Sequence, residues 1–340
     1  MLVAGDIGGT KTKLAIYSRE AGPHLPLAEA RFHSADYSSL QVIVKEFLAK
    51  IDEPVDRACF AVAGPVIGGR VKTTNLPWVI EETALAQALN LKPQAVHVIN
   101  DLEAIARAVP ILRPADLETL NTGEPAPEGA IAVVAPGTGL GESFLTLDGG
   151  GYLAHSSEGG HSDFAPTNER QIHLLEYMFK KFEHVSFEHV CSGIGIPHIY
   201  NYLRDVEQTR ENPDVAAFIE AASDPSVAII QHAIDSANPS KLCVATIGMF
   251  VSILASESAN LAVKVLATGG VYLSGGVVVH ILSALQGPAF MQSFKRKGRF
   301  ADLMARIPIH VIVNEVGITG AAAYGLADSQ KEGQTKCQCK

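Results

Sequence analysis

Two glycine-rich turns carry the first chemical signal. The chain opens with LVAGDIGGTKTKLAIY, in which Asp6 stands near the end of one apolar run and Gly8, Gly9, Thr10 and Lys11 turn the chain into a second. Glycines at such a turn let backbone approach a ligand and can take φ > 0. Successive N–H groups there form an anion-binding concavity. The Thr10 hydroxyl, the Lys11 charge and the Asp6 carboxylate, the last suited to hydrated Mg²⁺, complete a hairpin fit to hold polyphosphate. Hairpin geometry alone would also account for the glycines. The second turn, Gly137-Thr138-Gly139-Leu140-Gly141, follows the apolar run IAVVAP and again leads into a strand. It is neither the G-x-x-x-x-G-K-[ST] loop nor a dinucleotide fingerprint, both of which open a helix. Two such hairpins, one per domain, would clamp a polyphosphate from both sides.

Carboxylates and an imidazole supply the second signal. Asn100-Asp101 closes the apolar run AVHVI, and ligands of open α/β sheets bind outside the carboxyl ends of strands. Phosphoryl transfer to an alcohol needs a carboxylate that orients the hydroxyl and accepts its proton. Asp101 is the candidate, with capping of the following helix LEAIARAV as the alternative. Glu158-Gly159-Gly160-His161 lies in a loop whose glycines let a carboxylate and an imidazole turn into one pocket, where sugar hydroxyls pair well with both; a purely structural histidine is the competing reading. A single histidine outside H-E-x-x-H spacing does not make a metal site. Glu188, in HVSFEHVCSG, reads by itself as a helix residue near a cap. Thr268-Gly269-Gly270 and Ser274-Gly275-Gly276 flank a strand; they would let an adenine ring lie on backbone, or they are two ordinary turns.

Alternating strands and helices must position these groups. Residues 2–7, 12–17 and 27–33 read as an antiparallel meander, and 57–66 and 95–101 as buried strands. Asp36 to Ile51 reads as an amphipathic helix, with Leu40, Ile43, Val44, Phe47, Leu48 and Ile51 at helical spacing. Thr83 to Leu89 is a short helix. Such alternation implies a largely parallel sheet covered by helices. After the proline-rich stretch from Pro110 to Pro127, residues 131–157 repeat the design of the N-terminus in topology, not identity. Helices are expected over 168–183, 196–208, 213–222 and 225–257, strands over 262–268 and 308–314, and an Ala/Gly-rich helix from Gly317 that returns to the first domain.

Composition bounds the rest. The 340 residues suggest two domains, and 47% hydrophobic with 19% charged residues is an ordinary globular balance. A net charge of −9 argues against a nucleic-acid binder, which would carry a basic face. Five scattered cysteines, Cys59, Cys191, Cys243, Cys337 and Cys339, read as reduced thiols of a cytoplasmic protein, with no secretory leader expected before Gly5. Cys337 and Cys339 lack partners for a zinc site. The charge-free apolar stretch Leu242 to Ser256 has 15 residues, short of the roughly 20 that span a bilayer; it reads as a buried core helix rather than a membrane anchor.

In order, DIGGTKTKLA, TTNLPW, HVIND, GTGLG, EGGHSDFAP, FEHVCSG, TGGVYLSGGV and KGRF resemble bacterial-type glucokinases of the actin-like/hexokinase superfamily over about residues 3 to 325. The resemblance implies an α/β protein with the two-domain actin-like ATPase/hexokinase (ribonuclease H-like) fold and an interdomain cleft that closes on the sugar. A small domain, 1–112, would be completed by the helix 317–328. A large domain would run over 113–316, with a disordered tail over 329–340. It also implies in-line transfer of the γ-phosphoryl of ATP to the 6-hydroxyl of glucose with Mg²⁺. Asp101 would be the general base. Asn100, Gly139, Glu158, His161 and Glu188 would hold the other sugar hydroxyls. Asp6, Gly8, Gly9, Thr10, Lys11 and Thr138 would surround the phosphates, with Asp6 reaching Mg²⁺ through water. Gly269, Gly270 and Gly276 would border the adenosine. A cytoplasmic, homodimeric enzyme of glycolysis follows, without nucleic-acid or membrane partners. Pro77 before Trp78 and the basic Lys11 and Lys13 depart from the pattern, and the tail after Ala327 matches nothing in it. Another hexose, or ADP or polyphosphate as donor, stays open. A sugar-responsive repressor would need a helix-turn-helix ahead of the hairpin, and a chaperone-type ATPase a peptide-binding domain.

Overall fold

The computed structural model describes residues 1–73, 76–234 and 237–327. The expected tail with Cys337 and Cys339 lies outside the described residues, as do Thr74 and Asn75 of TTNLPW. The chain divides into two compact units, one of Met1–Leu112 with the chain from Glu315 onward, the other Arg113–Asn314.

The first unit holds β1 (Leu2–Ile7), β2 (Lys11–Tyr17), β3 (Ala28–His33), α1 (Leu40–Leu48), β4 (Arg57–Val62), β5 (Arg70–Lys72), β6 (Val79–Glu81), α2 (Glu82–Leu89), β7 (Val96–Asn100) and α3 (Asp101–Ala108), and closes with the last helix, Gly317–Leu326. Its main sheet has the order β3-β2-β1-β4-β7, with β1, β2 and β3 antiparallel and β1, β4 and β7 parallel. Strands β1 and β4 are buried along almost their whole length, as central strands covered on both faces are. Alternation along β1 sends Val3 and Ile7 into one core with Leu14, Ile43, Phe47, Phe60 and Leu85. It sends Leu2 and Ala4 to the other face, against Ala104, Ile318, Ala321 and Ala322. Asp6 belongs to that second face, which α3 and the last helix cover. The small residues there allow close approach: a side chain on Gly320 would fall on the Ala104 carbonyl.

Helix α1 starts at Leu40, not at Asp36. Ser34 is taken by the first hairpin: its N–H donates to the Thr10 carbonyl at 2.9 Å, and its hydroxyl donates to the Gly8 carbonyl at 2.9 Å. The Tyr37 carbonyl accepts the Trp78 indole N–H at 3.2 Å. These ties hold 34–37 in a short 3₁₀ turn and extended backbone.

The second unit holds β8 (Leu117–Asn121), β9 (Ile131–Pro136), β10 (Leu140–Asp148), β11 (Gly151–Ser157), α4 (Glu169–Phe179), α5 (Gly195–Asp205), α6 (Pro213–Ala221), α7 (Pro225–Ile234), α8 (Lys241–Val265), β12 (Gly270–Leu273), α9 (Gly276–His280), α10 (Leu282–Leu285), α11 (Pro288–Phe294), α12 (Ala301–Arg306) and β13 (Ile309–Ile312). The sheet order β11-β10-β9-β12-β13-β8 repeats the first unit: an antiparallel meander of three strands, then two strands parallel to its first member. Strand β8 adds an antiparallel edge.

The expected helix over 225–257 is two helices, with Pro239 and Ser240 before the second. The expected strand over 262–268 does not form. Helix α8 runs through Val265 and stops where Leu266 turns left-handed, φ 52°. Val263 is exposed on it, whereas a central strand would bury it, and GVYL (270–273) takes the place in the sheet. Helix α8 is long and apolar enough to cross a membrane by length and composition, but most of it is buried within this unit.

Candidate functional site

In the first unit, strand β1 delivers Asp6 to its carboxyl end, in register with Lys13 on β2 and Ala61 on β4. Burial, then Asp101, then Glu315 raise its pKa to about 6, while Lys13 pulls the other way. Gly317 packs against this carboxylate; a Cβ there would lie 2.8 Å from Oδ2. Glu315 itself pairs with Arg31 at 2.8 Å, and Lys13 with Glu29 at 3.1 Å. The hairpin turn is closed by the Gly8 N–H donating to the Lys11 carbonyl at 2.9 Å. Neither Gly8 nor Gly9 has positive φ; Gly8 serves close approach, since a Cβ would stand 3.0 Å from the Lys11 carbonyl oxygen. Thr10 and Lys11 face solvent.

Asn100, not Asp101, caps α3. Its side-chain oxygen accepts the N–H groups of Leu102 at 2.8 Å and Glu103 at 3.3 Å, and its amide donates to the Gly64 carbonyl at 3.0 Å. These bonds fix the Asn100 side chain at the carboxyl end of β7 and use one of its two amide hydrogens. Asp101 becomes the first residue of the helix, its Oδ1 3.0 Å from the Leu102 N–H.

The second unit gathers the remaining acids around its own hairpin. The Gly137 N–H donates to the Gly139 carbonyl at 2.8 Å, closing the turn between β9 and β10. The Leu140 N–H donates to Glu188 Oε2 at 2.9 Å, and that oxygen stands where a side chain on Gly139 would be. The Glu188 N–H donates in turn to the Gly160 carbonyl at 2.9 Å. These bonds bring 137–140, 158–161 and 185–190 into one cluster. His161 Nδ1 lies 3.9 Å from Glu188 Oε1, and its Nε2 3.9 Å from Glu158 Oε2; His161 and Glu158 are open to solvent, Glu188 only 22% so. Carboxylates and an imidazole at this spacing can accept from and donate to neighbouring hydroxyls of one small polyol.

Beside the same turn lies a pocket of about 680 Å³ lined by Thr138, Gly193, Ile194, Asp224, Gly276 and Val277 among others, a volume within the roughly 300–1,000 Å³ of small-molecule sites. The Gly193 N–H donates to the Gly137 carbonyl at 2.8 Å and the Ile194 N–H to the Thr138 carbonyl at 3.2 Å. Asp224 caps α7, accepting the Ser226 N–H at 2.9 Å. Gly275 has φ 96° and a Cβ there would sit 2.6 Å from the Pro136 carbonyl oxygen, so only glycine lets β12 pass the hairpin.

Gly269 and Gly270 do not join Gly276. They open β12, where the Gly269 N–H donates to the Ala130 carbonyl at 2.9 Å and Gly270 is level with Ile131. Gly276 lies beyond the other end of the four-residue strand, roughly 13 Å away at about 3.3 Å per residue. The first glycine pair packs the base of the sheet, and the second borders the pocket. Gly193, Asp224 and Glu315 escape the sequence reading; Gly193 lies inside the motif FEHVCSG that it quotes, while the other two carry no local signal.

Each unit repeats one αβ design with a glycine turn at the carboxyl end of the first strand of its meander, the arrangement of the two-domain actin-like hexokinase fold. The glucokinase family profile matches residues 3–328. A glucokinase of Nostoc punctiforme is 39% identical over 95% of this chain and 98% of its own length. The crystal structure of glucokinase from an Antarctic psychrotroph superposes with a TM-score of 0.78 at 30% identity, over 95% of this chain and 98% of the other. A ROK family glucokinase from Streptomyces griseus, solved with glucose and AMPPNP, shares the fold at a TM-score of 0.61 and 17% identity, over 95% and 98% of the two chains. The chain belongs to the glucokinase family and is an ATP-dependent hexose kinase.

Proposed function

We propose that the chain phosphorylates glucose at its 6-hydroxyl through Asp101, which orients that hydroxyl and takes its proton as the γ-phosphoryl of ATP arrives in line. Glu158, His161 and Glu188 hold the remaining hydroxyls, the two hairpin turns present N–H groups to the phosphates, and the pocket by Gly276 receives the nucleoside. The observation that carries this reading is the joining of Gly139, Glu158, His161 and Glu188 by the Leu140–Glu188 and Glu188–Gly160 hydrogen bonds. Phosphoryl transfer passes through a loose transition state, so positioning and electrostatics supply most of the rate.

The residues fit Mg²⁺. Asp6 is a hard oxygen donor whose pKa is raised first by burial and then by Asp101 and Glu315, and a divalent cation would relieve the crowding of negative charge. Such an ion would be held by one or two carboxylates, water and substrate phosphates. When bound it would neutralise phosphate charge. A homodimer accords with the prevalence of two-fold assemblies, to be measured by light scattering, and dependence on ATP supports a cytoplasmic location.

The test is a coupled assay of ADP release with Mg-ATP across glucose, mannose, fructose, N-acetylglucosamine and no sugar, run on the wild type and Asp101→Ala. Turnover should require glucose, and Asp101→Ala should lose on the order of 10²–10⁴ in kcat while calorimetry still detects glucose binding. An unchanged kcat in that variant would remove Asp101 from its role.

A further inference from the structure

Under the 158–161 loop lie two buried acids that the reaction does not use. Glu142 on β10 faces Ser157 of β11 in the antiparallel register and is 1% exposed; Glu257, inside α8, is 0% exposed. Their carboxyls meet side chain to side chain, and each keeps a buried Oε1 without a hydrogen-bond partner. Two ionised carboxylates cannot share so dry a site, so one proton is held between them. The donors decide where. Glu257 accepts from Asn260 Nδ2 at 2.8 Å, and the Asn260 oxygen accepts from Lys297 Nζ, which favours the charge on Glu257. Among the described residues Glu142 has no such donor. Instead its Oε2 lies against Gly159, in the space that a side chain there would fill.

We propose that Glu142, kept as a neutral acid and braced by Glu257, is a positioning residue for sugar binding: its carboxyl is the floor on which the Gly159–His161 turn rests, and it thereby sets where Glu158 and His161 stand. This rests on the assignment of those two residues to the sugar. Glu257 and Lys264 of α8, Lys297 beyond α11 and the Cys191 thiol are the titratable groups around the pair. Burial and then Glu257 push the Glu142 pKa up to about 8. Above that pH the turn would rest on two repelling charges. Below it the floor is intact.

Glucose and ATP KM measured from pH 6 to 9 for the wild type, Glu142→Ala and Glu142→Gln test this. Glu142→Ala should raise the glucose KM tenfold or more at pH 7 with the ATP KM within twofold. Glu142→Gln, a neutral isostere, should restore the glucose KM and remove its rise above pH 8. A glucose KM within twofold of wild type in the alanine variant, or an alkaline rise unchanged in the glutamine variant, overturns the proposal; if the alanine variant does not fold, the glutamine profile decides. A wild type without glucose-dependent turnover would strike the sugar assignment instead, and thermal midpoints would still test the pair. The folded pKa is above the ordinary value of 4.5, so wild-type stability falls as pH rises between the two. The glutamine variant should therefore gain on the wild type from pH 5 to pH 8; a constant gap overturns the shared proton.

Discussion

Glu188 accepts the Leu140 N–H at 2.9 Å while its carboxylate fills the space over Gly139, so Gly139 is required for room and not for a left-handed turn. Gly139→Ala should push Glu188 away and cost it that N–H, raising the glucose KM by about tenfold, equivalent to roughly 1.4 kcal/mol. Steady-state kinetics with a thermal midpoint within a few degrees of wild type would check it; an unchanged KM would detach Glu188 from the sugar. At this scale the sequence is a partial guide. The types and spacing of Glu158, Gly159, Gly160 and His161 single out that loop, whereas Glu188, which by itself reads as a helix residue, and Gly139 as a sugar contact enter only through the family resemblance. Which of two neighbours caps a helix is decided by a side-chain rotamer and three N–H directions, so Asn100 rather than Asp101 takes the cap. Likewise Gly269-Gly270 and Gly275-Gly276 look equivalent in one dimension, and only strand β12 between them separates the base of a sheet from its functional edge.

Elements with a clear stop are the legible ones: β1, β4, β7, β9 and the last helix follow from apolar runs with a glycine or an acid at or just beyond their ends. Ambiguity concentrates where two periods coexist. Residues 262–265 are apolar and β-branched enough for a strand, but they continue the register of α8, and tertiary packing overrides a local preference of a few tenths of a kcal/mol. The last helix gives a sharper case of context over propensity. Gly320 sits in its interior, where alanine would be favoured by about 1 kcal/mol. Yet a methyl there would fall on the Ala104 carbonyl, and overpacking against backbone costs typically about 1–3 kcal/mol. Gly320→Ala should therefore destabilise by up to about 2 kcal/mol, seen as a fall in the midpoint of the first unit's thermal transition. A rise in that midpoint would mean that α3 and the last helix yield more easily than their packed backbones suggest.

The whole molecule is one design used twice, and the second use is contiguous while the first is not. Residues Arg113–Asn314 form a unit from a single stretch of chain, but the first unit needs the last helix to cover one face of its sheet. Without the last helix, Leu2, Ala4, Cys59 and Ala61 lose Ile318, Ala321 and Ala322 as cover. Each large aliphatic side chain left unburied forfeits about 1.5–3 kcal/mol, a sizeable part of the roughly 5–15 kcal/mol that holds a domain folded. That dependence is visible in the sequence only as an Ala/Gly-rich helix with no partner near it in the chain. A chain ending at Asn314 should accordingly keep the unfolding transition of the second unit and lose that of the first. Limited proteolysis should then cut within residues 1–112 and spare 113–314. Protection of both stretches would show that α3 alone closes the face, and cutting throughout would show that the second unit does not fold without the first.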